Sequence, residues 1–266
     1  MPRQKRLLSP THIYHVMVRG NSGRDIFLDD EDRKRLLRII ETKKKEEGFI
    51  LFAYCLMNNH FHLLLKENRD NISQIMKKIN TTYALYFNKK YQLSGHLFQN
   101  RFRSEVVESD SYLLAIVRYI HNNPVKSGLV SFPQDYSWSS YLNYINRQER
   151  LVDTNQVLGL FSEDISQAYI QFIEFSKEFE QRHHFMEYKE QNQHRKEIND
   201  YSKVRYFVNK FLKKHQITLN SLSDRKNKAI RDKLIQELKD KSVYSYREIA
   251  KFLNMGRGMV QKAGKK

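Results

Sequence analysis

Residues 49–66 read FILFAYCLMNNHFHLLLK. Phe49–Met57 is nearly all apolar, as a strand buried on both faces should be. Residues 57–60, MNNH, read as a turn, and His60–Lys66 reads as a second strand, so the stretch forms a hairpin. Side chains two apart on a strand share a face, so His60 and His62 project together, with Cα atoms about 6–7 Å apart, while Phe61 points the other way into a core. That spacing suits two ligands of one divalent ion. Taken alone, the pattern reads more readily as two ordinary histidines on a half-exposed strand.

Working outward, residues 12–19, HIYHVMVR, alternate and are rich in β-branched and aromatic types, the mark of another strand. RGNSGRD is a loop. Asp29–Glu47 is an amphipathic helix with Leu36, Leu37, Ile39 and Ile40 as its apolar stripe, closed by Gly48. A second helix runs from about Ile72 to Lys90. A loop leads to a short strand at Phe102–Val107, and a third helix starts near Asp110 and ends before Pro124, because proline disfavours helix in the residue before it. Residues 131–150 carry an aromatic turn and helix that closes the unit. Helices mixed with antiparallel strands make an α+β domain: helices packed on a central antiparallel sheet.

The chain has 266 residues, 40% hydrophobic and 29% charged. It lacks the run of about 18 apolar residues that spans a membrane. It also lacks a secretory signal, so a cytoplasmic location is expected. A single cysteine, Cys55, excludes an internal disulfide framework and any multi-cysteine metal site; in its apolar strand it reads as an inert buried thiol. The net charge of +17 points to a polyanionic partner. It is unevenly placed: residues 181–266 carry +13 and residues 1–180 carry +4. Charged residues 181–197 read as a linker, and 201–266 as helical again. Three regions follow: 1–150, a helical connector 151–200, and a basic helical region 201–266.

Two further groupings bear on chemistry. Tyr119 and Asn123 are four apart on a helix and share a face, so a phenol and an amide converge. A half-buried core tyrosine and a capping asparagine before proline would give the same letters. Tyr112, seven residues earlier, shares the face. The loop residues His96, Phe98, Gln99, Arg101, Phe102 and Arg103 interleave cations and rings, as a surface for single-stranded or hairpin nucleic acid requires. The same phenylalanines could equally anchor the loop to the core. Near the C-terminus, residues 242–263 have a helix-turn-helix rhythm: Ser245 as cap, Ile249, Ala250 and Leu253 for packing, Gly256 or Gly258 in the turn, and a second helix starting near Met259.

Together, HVMVRGNSGRDIF (15–27), AYCLMNNHFHLLL (53–65), GHLFQNRFRSEVV (95–107) and YLLAIVRYIHNNPVKSGLV (112–130) with DYSWSSY (135–141) resemble the single-tyrosine HUH transposases, most closely the REP-associated branch. The resemblance covers about residues 10–145. It implies a ferredoxin- or RRM-like HUH fold in 1–150, with His60, His62 and Asn123 holding Mg²⁺ or Mn²⁺ and Tyr119 as the nucleophile. It implies cleavage of single-stranded DNA beside a hairpin through a 5′-phosphotyrosine intermediate, followed by rejoining. Arg101 and Arg103 are the candidate DNA contacts, with Arg3, Lys5 and Arg6 reading the hairpin foot. The C-terminal unit is similar to DnaA-like helix-turn-helix units of some relatives, which would put Arg257 and Lys262 against duplex DNA. Both monomeric and homodimeric members fit the resemblance. Two other functions remain compatible with these residues: a DNA-binding regulator that kept the fold without cleavage, and a metal phosphodiesterase that uses water. His12 and His15, on the first strand, could approach the active site but read more readily as structural; His121 should face away from the metal ligands, and His183 and His184 read as solvated.

Overall fold

The computed structural model describes residues 7–146, 151–178, 185, 186, 198, 199 and 201–264. Four strands, β1 (Ile13–Arg19), β2 (Ile50–Met57), β3 (His60–Lys66) and β4 (Arg103–Val106), form one sheet in the order β2-β3-β1-β4. Every pairing is antiparallel. The expected hairpin is β2–β3, with Met57 opposite His60. β1 pairs with β3 on one side and β4 on the other, so it lies at the heart of the sheet.

Strand alternation divides the core in two. Tyr14, Val16, Val18, Leu56, Phe61, Leu63 and Leu65 point to one side, where they pack against helices α1 (Asp30–Glu47) and α2 (Ile72–Lys90). Cys55, Met57 and Leu64 point to the other, under helix α3 (Asp110–Lys126). Helices thus cover both faces. The helix ends follow the sequence. Asp29 caps α1 in a reciprocal capping box with Asp32, and Gly48 ends the helix at φ 72°, a left-handed conformation favourable to glycine. Gly20 is needed for a different reason, since a Cβ there would lie 2.0 Å from the Arg24 carbonyl oxygen.

Two of the boundaries that differ from the sequence reading bear on the site. β1 starts at Ile13 because His12 takes a left-handed φ of 61°. Helix α3 does not stop before Pro124 but runs through it to Lys126. Proline removes one N–H and crowds the carbonyl four residues back, and in the last turn that is a single lost bond. The Ser127 N–H to Asn123 and the Leu129 N–H to Pro124 close the end at 3.0 Å each. Asn123 therefore stays helical, one turn beyond Tyr119.

Residues 136–140 lie along β2, with Leu56 N–H on Trp138 O at 2.9 Å and Ser140 N–H on Tyr54 O at 3.0 Å. This covers a sheet edge that would otherwise expose unpaired backbone groups. Short helices α4 (Tyr141–Ile145), α5 (Asn155–Leu158) and α6 (Ile165–Lys177) complete the core on the α3 side. Of the expected linker 181–197, all but Phe185 and Met186 lies outside the described residues, as do His183 and His184.

Helices α7 (Tyr201–Lys214), α8 (Lys228–Lys241), α9 (Tyr246–Phe252) and α10 (Arg257–Ala263) enclose a core of their own, built around Leu222, Leu234, Ile235, Leu238, Ile249 and Val260. Ser245 caps α9 in a capping box with Glu248. A buried ion pair joins this unit to the sheet domain: Arg24 Nη1 donates to Glu248 Oε1 at 2.5 Å. Arg24 also donates to the His96 and Leu97 carbonyls. Among the described residues, no helix is long and apolar enough to cross a membrane.

Candidate active site

The α3 face of the sheet collects the polar side chains. Cross-strand register puts Met17 opposite His62, Arg19 opposite His60, and Glu105 opposite His15. Alternation then sends His15, Arg19, His60, His62 and Glu105 toward the same side. His60 and His62 converge, with ring centroids 5.1 Å apart.

Helix α3 lays Tyr119 and Asn123 over these histidines. The Tyr119 ring stands edge-on to His62, with centroids 5.7 Å apart and planes at 87°. Asn123 Nδ2 lies 3.5 Å from His62 Nε2. Asn123 also hydrogen-bonds to His60. The structure thus brings His60, His62, Tyr119 and Asn123 together within one chain. Lys126, two turns beyond Tyr119, holds its Nζ 5.8 Å from the phenol ring centre. On the open side, Phe185 packs against Tyr119 with centroids 4.5 Å apart and against Tyr112 at 5.9 Å.

Burial sets the charge state of both histidines. His60 is pushed down to about 4, first by desolvation and then by the Arg19 guanidinium, against an opposing hydrogen bond to Asn123. His62 is lowered well below the ordinary imidazole range by burial and by the neighbouring His60 and His15. Both rings are neutral at pH 7, the form that ligates a metal. Among the described residues, no three His, Cys, Asp or Glu side chains are grouped to hold an ion. The donor set here is therefore two neutral imidazoles and one amide. An amide presents either its nitrogen or its oxygen after a half turn of χ2, so Asn123 has an oxygen to offer where its nitrogen now meets His62.

His15 reaches the site, the less favoured of its two sequence readings. His15 is fully buried, and its Nε2 lies 2.9 Å from His62 Nδ1. Its Nδ1 lies 3.5 Å from Glu105 Oε2, and Glu105 Oε1 accepts the Tyr112 hydroxyl at 2.6 Å. From the sequence a structural part reads more readily, because nothing local says that β1 lies next to β3. The alternation of HIYHVMVR, matched with that of HFHLLLK, would have found it once the strand order was known. Burial would raise the Glu105 carboxyl, but hydrogen bonds from His15 and Tyr112 outweigh it and hold it below the usual range. His121 faces away, as expected: it is buried, bonds to Ser140 Oγ at 2.8 Å, and sits among Tyr141, Tyr144 and Phe172. Cys55 is a free, buried thiol. His12 stays at the rim, 3.3 Å from Glu67.

The candidate DNA contacts divide. Arg101 and Arg103 are exposed at the approach to β4. The rings beside them turn inward: Phe98 packs on Phe61 and Tyr83, and Phe102 is buried. Both phenylalanines therefore help to anchor the loop, Phe98 half-buried and Phe102 buried. Arg257 and Lys262 are exposed on α10. Arg3, Lys5 and Arg6 lie outside the described residues.

Comparison with known proteins agrees with the motifs. Residues 9–123 match the family model described as "Transposase IS200 like". A REP-associated tyrosine transposase sequence from Haemophilus influenzae is 33% identical over 105 residues, 35% of this chain and 59% of that protein. The chain thus spans about three fifths of the curated relative it matches. Among solved structures, a REP-associated tyrosine transposase bound to a REP hairpin aligns at TM-score 0.48 and 21% identity, over 57% of this chain and 94% of that one. A crystal structure described as that of a transposase from Deinococcus radiodurans aligns at TM-score 0.33 and 20% identity, over 46% and 97%. The likeness to single-tyrosine transposases of the REP-associated kind, read from the motifs, therefore also stands on the family model and the curated relative.

Proposed function

We infer that this chain, whose residues 9–123 carry the IS200-like transposase pattern, is a metal-dependent DNA strand transferase. It cleaves single-stranded DNA beside a hairpin and rejoins it through Tyr119. The observation that carries the reading is the meeting of Tyr119 and Asn123 on α3 with His60 and His62 on β3 in one chain. That arrangement also supports a monomer acting in cis.

The donors fit a divalent cation such as Mg²⁺ or Mn²⁺, held by His60, His62 and Asn123. When bound, such an ion supplies charge neutralisation at a scissile phosphate. The chain's own residues supply the rest. A phenol has a free pKa of about 10, so it loses its proton as it attacks. Lys126 places its ammonium 5.8 Å from the centre of the Tyr119 ring. The Tyr119 oxygen forms a bond to phosphorus as the bond to the 3′ oxygen of the preceding nucleotide breaks. That leaves a 5′-phosphotyrosine and a free 3′-OH. A phenolate is a better leaving group than an alkoxide, so a second 3′-OH displaces it and restores a phosphodiester without ATP.

Arg101 and Arg103 are the hairpin contacts in this reading, with Arg3, Lys5 and Arg6 at its foot. The capped α9 and the short α10, with Arg257 and Lys262 outward, would lie against flanking duplex. The test is a denaturing gel of labelled single-stranded hairpins with Mn²⁺ or EDTA. A metal-dependent adduct in wild type that is absent in Tyr119→Phe supports strand transfer. Cleavage without adduct in both proteins would make this a water-using phosphodiesterase, and binding without cleavage a regulator.

A further inference from the structure

The reading above leaves His15, Glu105 and Tyr112 unused, although all three converge on the face that holds His62. Their contacts form a line. The Tyr112 hydroxyl donates to Glu105 Oε1 at 2.6 Å, and the Met186 N–H reaches Glu105 Oε2 at 3.3 Å. Glu105 Oε2 faces His15 Nδ1 at 3.5 Å, and His15 Nε2 meets His62 Nδ1 at 2.9 Å. His62 Nε2 then points toward Asn123.

A line of this kind fixes where protons sit. Glu105, ionised, is acceptor-only, so the His15 nitrogen that approaches it at 3.5 Å is placed to carry the N–H. With a single N–H on the His15 ring, on the nitrogen that approaches Glu105, Nε2 is an acceptor. The partner at 2.9 Å, His62 Nδ1, must be the donor. His62 Nε2 is left bare, with its lone pair toward Asn123. The rings of His15 and His62 lie nearly parallel, 19° apart with centroids at 5.2 Å, so the bond also holds the tilt of the His62 ring.

We propose that Glu105 and His15 form a positioning relay that fixes His62 in the Nδ1–H tautomer, with Nε2 free to ligate a divalent cation. The proposal rests on the assignment of His62 as a ligand. Neither residue touches the ion or the DNA; both act through His62. Without the carboxylate, His15 has no reason to keep its proton on Nδ1. The opposite tautomer would donate to His62 Nδ1, move the His62 proton to Nε2 and block ligation. Groups that orient a ligating histidine typically change metal affinity about 10–100-fold when removed.

The test uses the full metal-free chain. Titration calorimetry with Mn²⁺ compares wild type, His62→Ala, Glu105→Leu and Glu105→Gln. Glutamine keeps an oxygen that can accept from His15, so it should retain most of the affinity, whereas leucine should lose about 10–100-fold. Long-range ¹H–¹⁵N imidazole spectra of metal-free wild type should show His62 protonated on Nδ1, and Glu105→Leu should raise the other tautomer. Hairpin binding in EDTA and the thermal midpoint report whether each variant is folded. If Glu105→Leu binds Mn²⁺ like wild type, or if wild-type His62 carries its proton on Nε2, the relay is wrong. If wild type binds Mn²⁺ no better than His62→Ala, the metal reading itself fails, and the relay has nothing to position.

Discussion

Tyr119 and His62 approach edge to face, with ring centroids 5.7 Å apart, although they come from a helix and a strand 57 residues distant in sequence. Helix α3 supplies both Tyr119 and Asn123 to the histidine pair, so the proposed nucleophile and the proposed metal site share one helix. The Tyr119 ring also packs on Phe185. Tyr119→Phe keeps that ring and removes only the hydroxyl. Its thermal stability should lie within about 1 kcal/mol of wild type. Hairpin binding measured by anisotropy should persist.

Removing a proposed ligand should act on metal rather than on fold. Asn123→Ala and His60→Ala are each expected to weaken Mn²⁺ binding by at least tenfold in calorimetry. His121→Gln, two residues from Tyr119 but turned toward Ser140, should leave Mn²⁺ affinity within twofold.

Acid should destabilise the fold through buried imidazoles. Burial pushes His121 down to about 3 and His60 to about 4, against about 6.5 in the unfolded chain. Between those values the unfolded state binds more protons, so stability rises with pH and is lost as pH falls from about 6.5 toward 3. Denaturant midpoints from pH 7 to 4 should fall, and more gently in His121→Gln, which keeps a partner for Ser140 but has no proton to gain.

The Arg24–Glu248 pair should hold the C-terminal helices to the sheet domain. Both side chains are no more than 10% exposed, and breaking a buried pair by removing one partner typically costs about 3–5 kcal/mol. Arg24→Met should therefore expose residues 201–264 to limited proteolysis before the sheet domain. An unchanged digestion pattern would mean that the unit is held by other contacts.

Much of this was legible from local pattern. The hairpin at Ile50–Lys66, the α1 boundaries set by Asp29 and Gly48, and the shared face of His60 and His62 follow from periods and caps within a few residues. The contact of His15 with His62 was legible only as a second choice, because it depends on β1 lying between β3 and β4. Strand order is set by nonlocal packing. The helix stop before Pro124 was misread for a related reason: the local rule is real, but α3 is held down by Ile116, Val117 and Ile120 in the core, and one lost backbone bond at its end does not unwind it. The inward turn of Phe98 likewise needed Phe61 and Tyr83 in place.

If Arg101 and Arg103 each neutralise a phosphate, Arg101→Ala and Arg103→Ala should weaken hairpin binding. Each should also reduce the slope of log K against log salt by about 1. A lower affinity with an unchanged slope would assign them to something other than phosphate contact.

The most direct test is to trap the protein on a hairpin oligonucleotide with Mn²⁺, digest it with protease, and sequence the nucleotide-bearing peptide by mass spectrometry. The account predicts a 5′-phosphoryl link on Tyr119, within the stretch YLLAIVRYIHNNPVK of residues 112–126. A link on Tyr112 or on another residue, or cleaved DNA with no peptide attached, would contradict it.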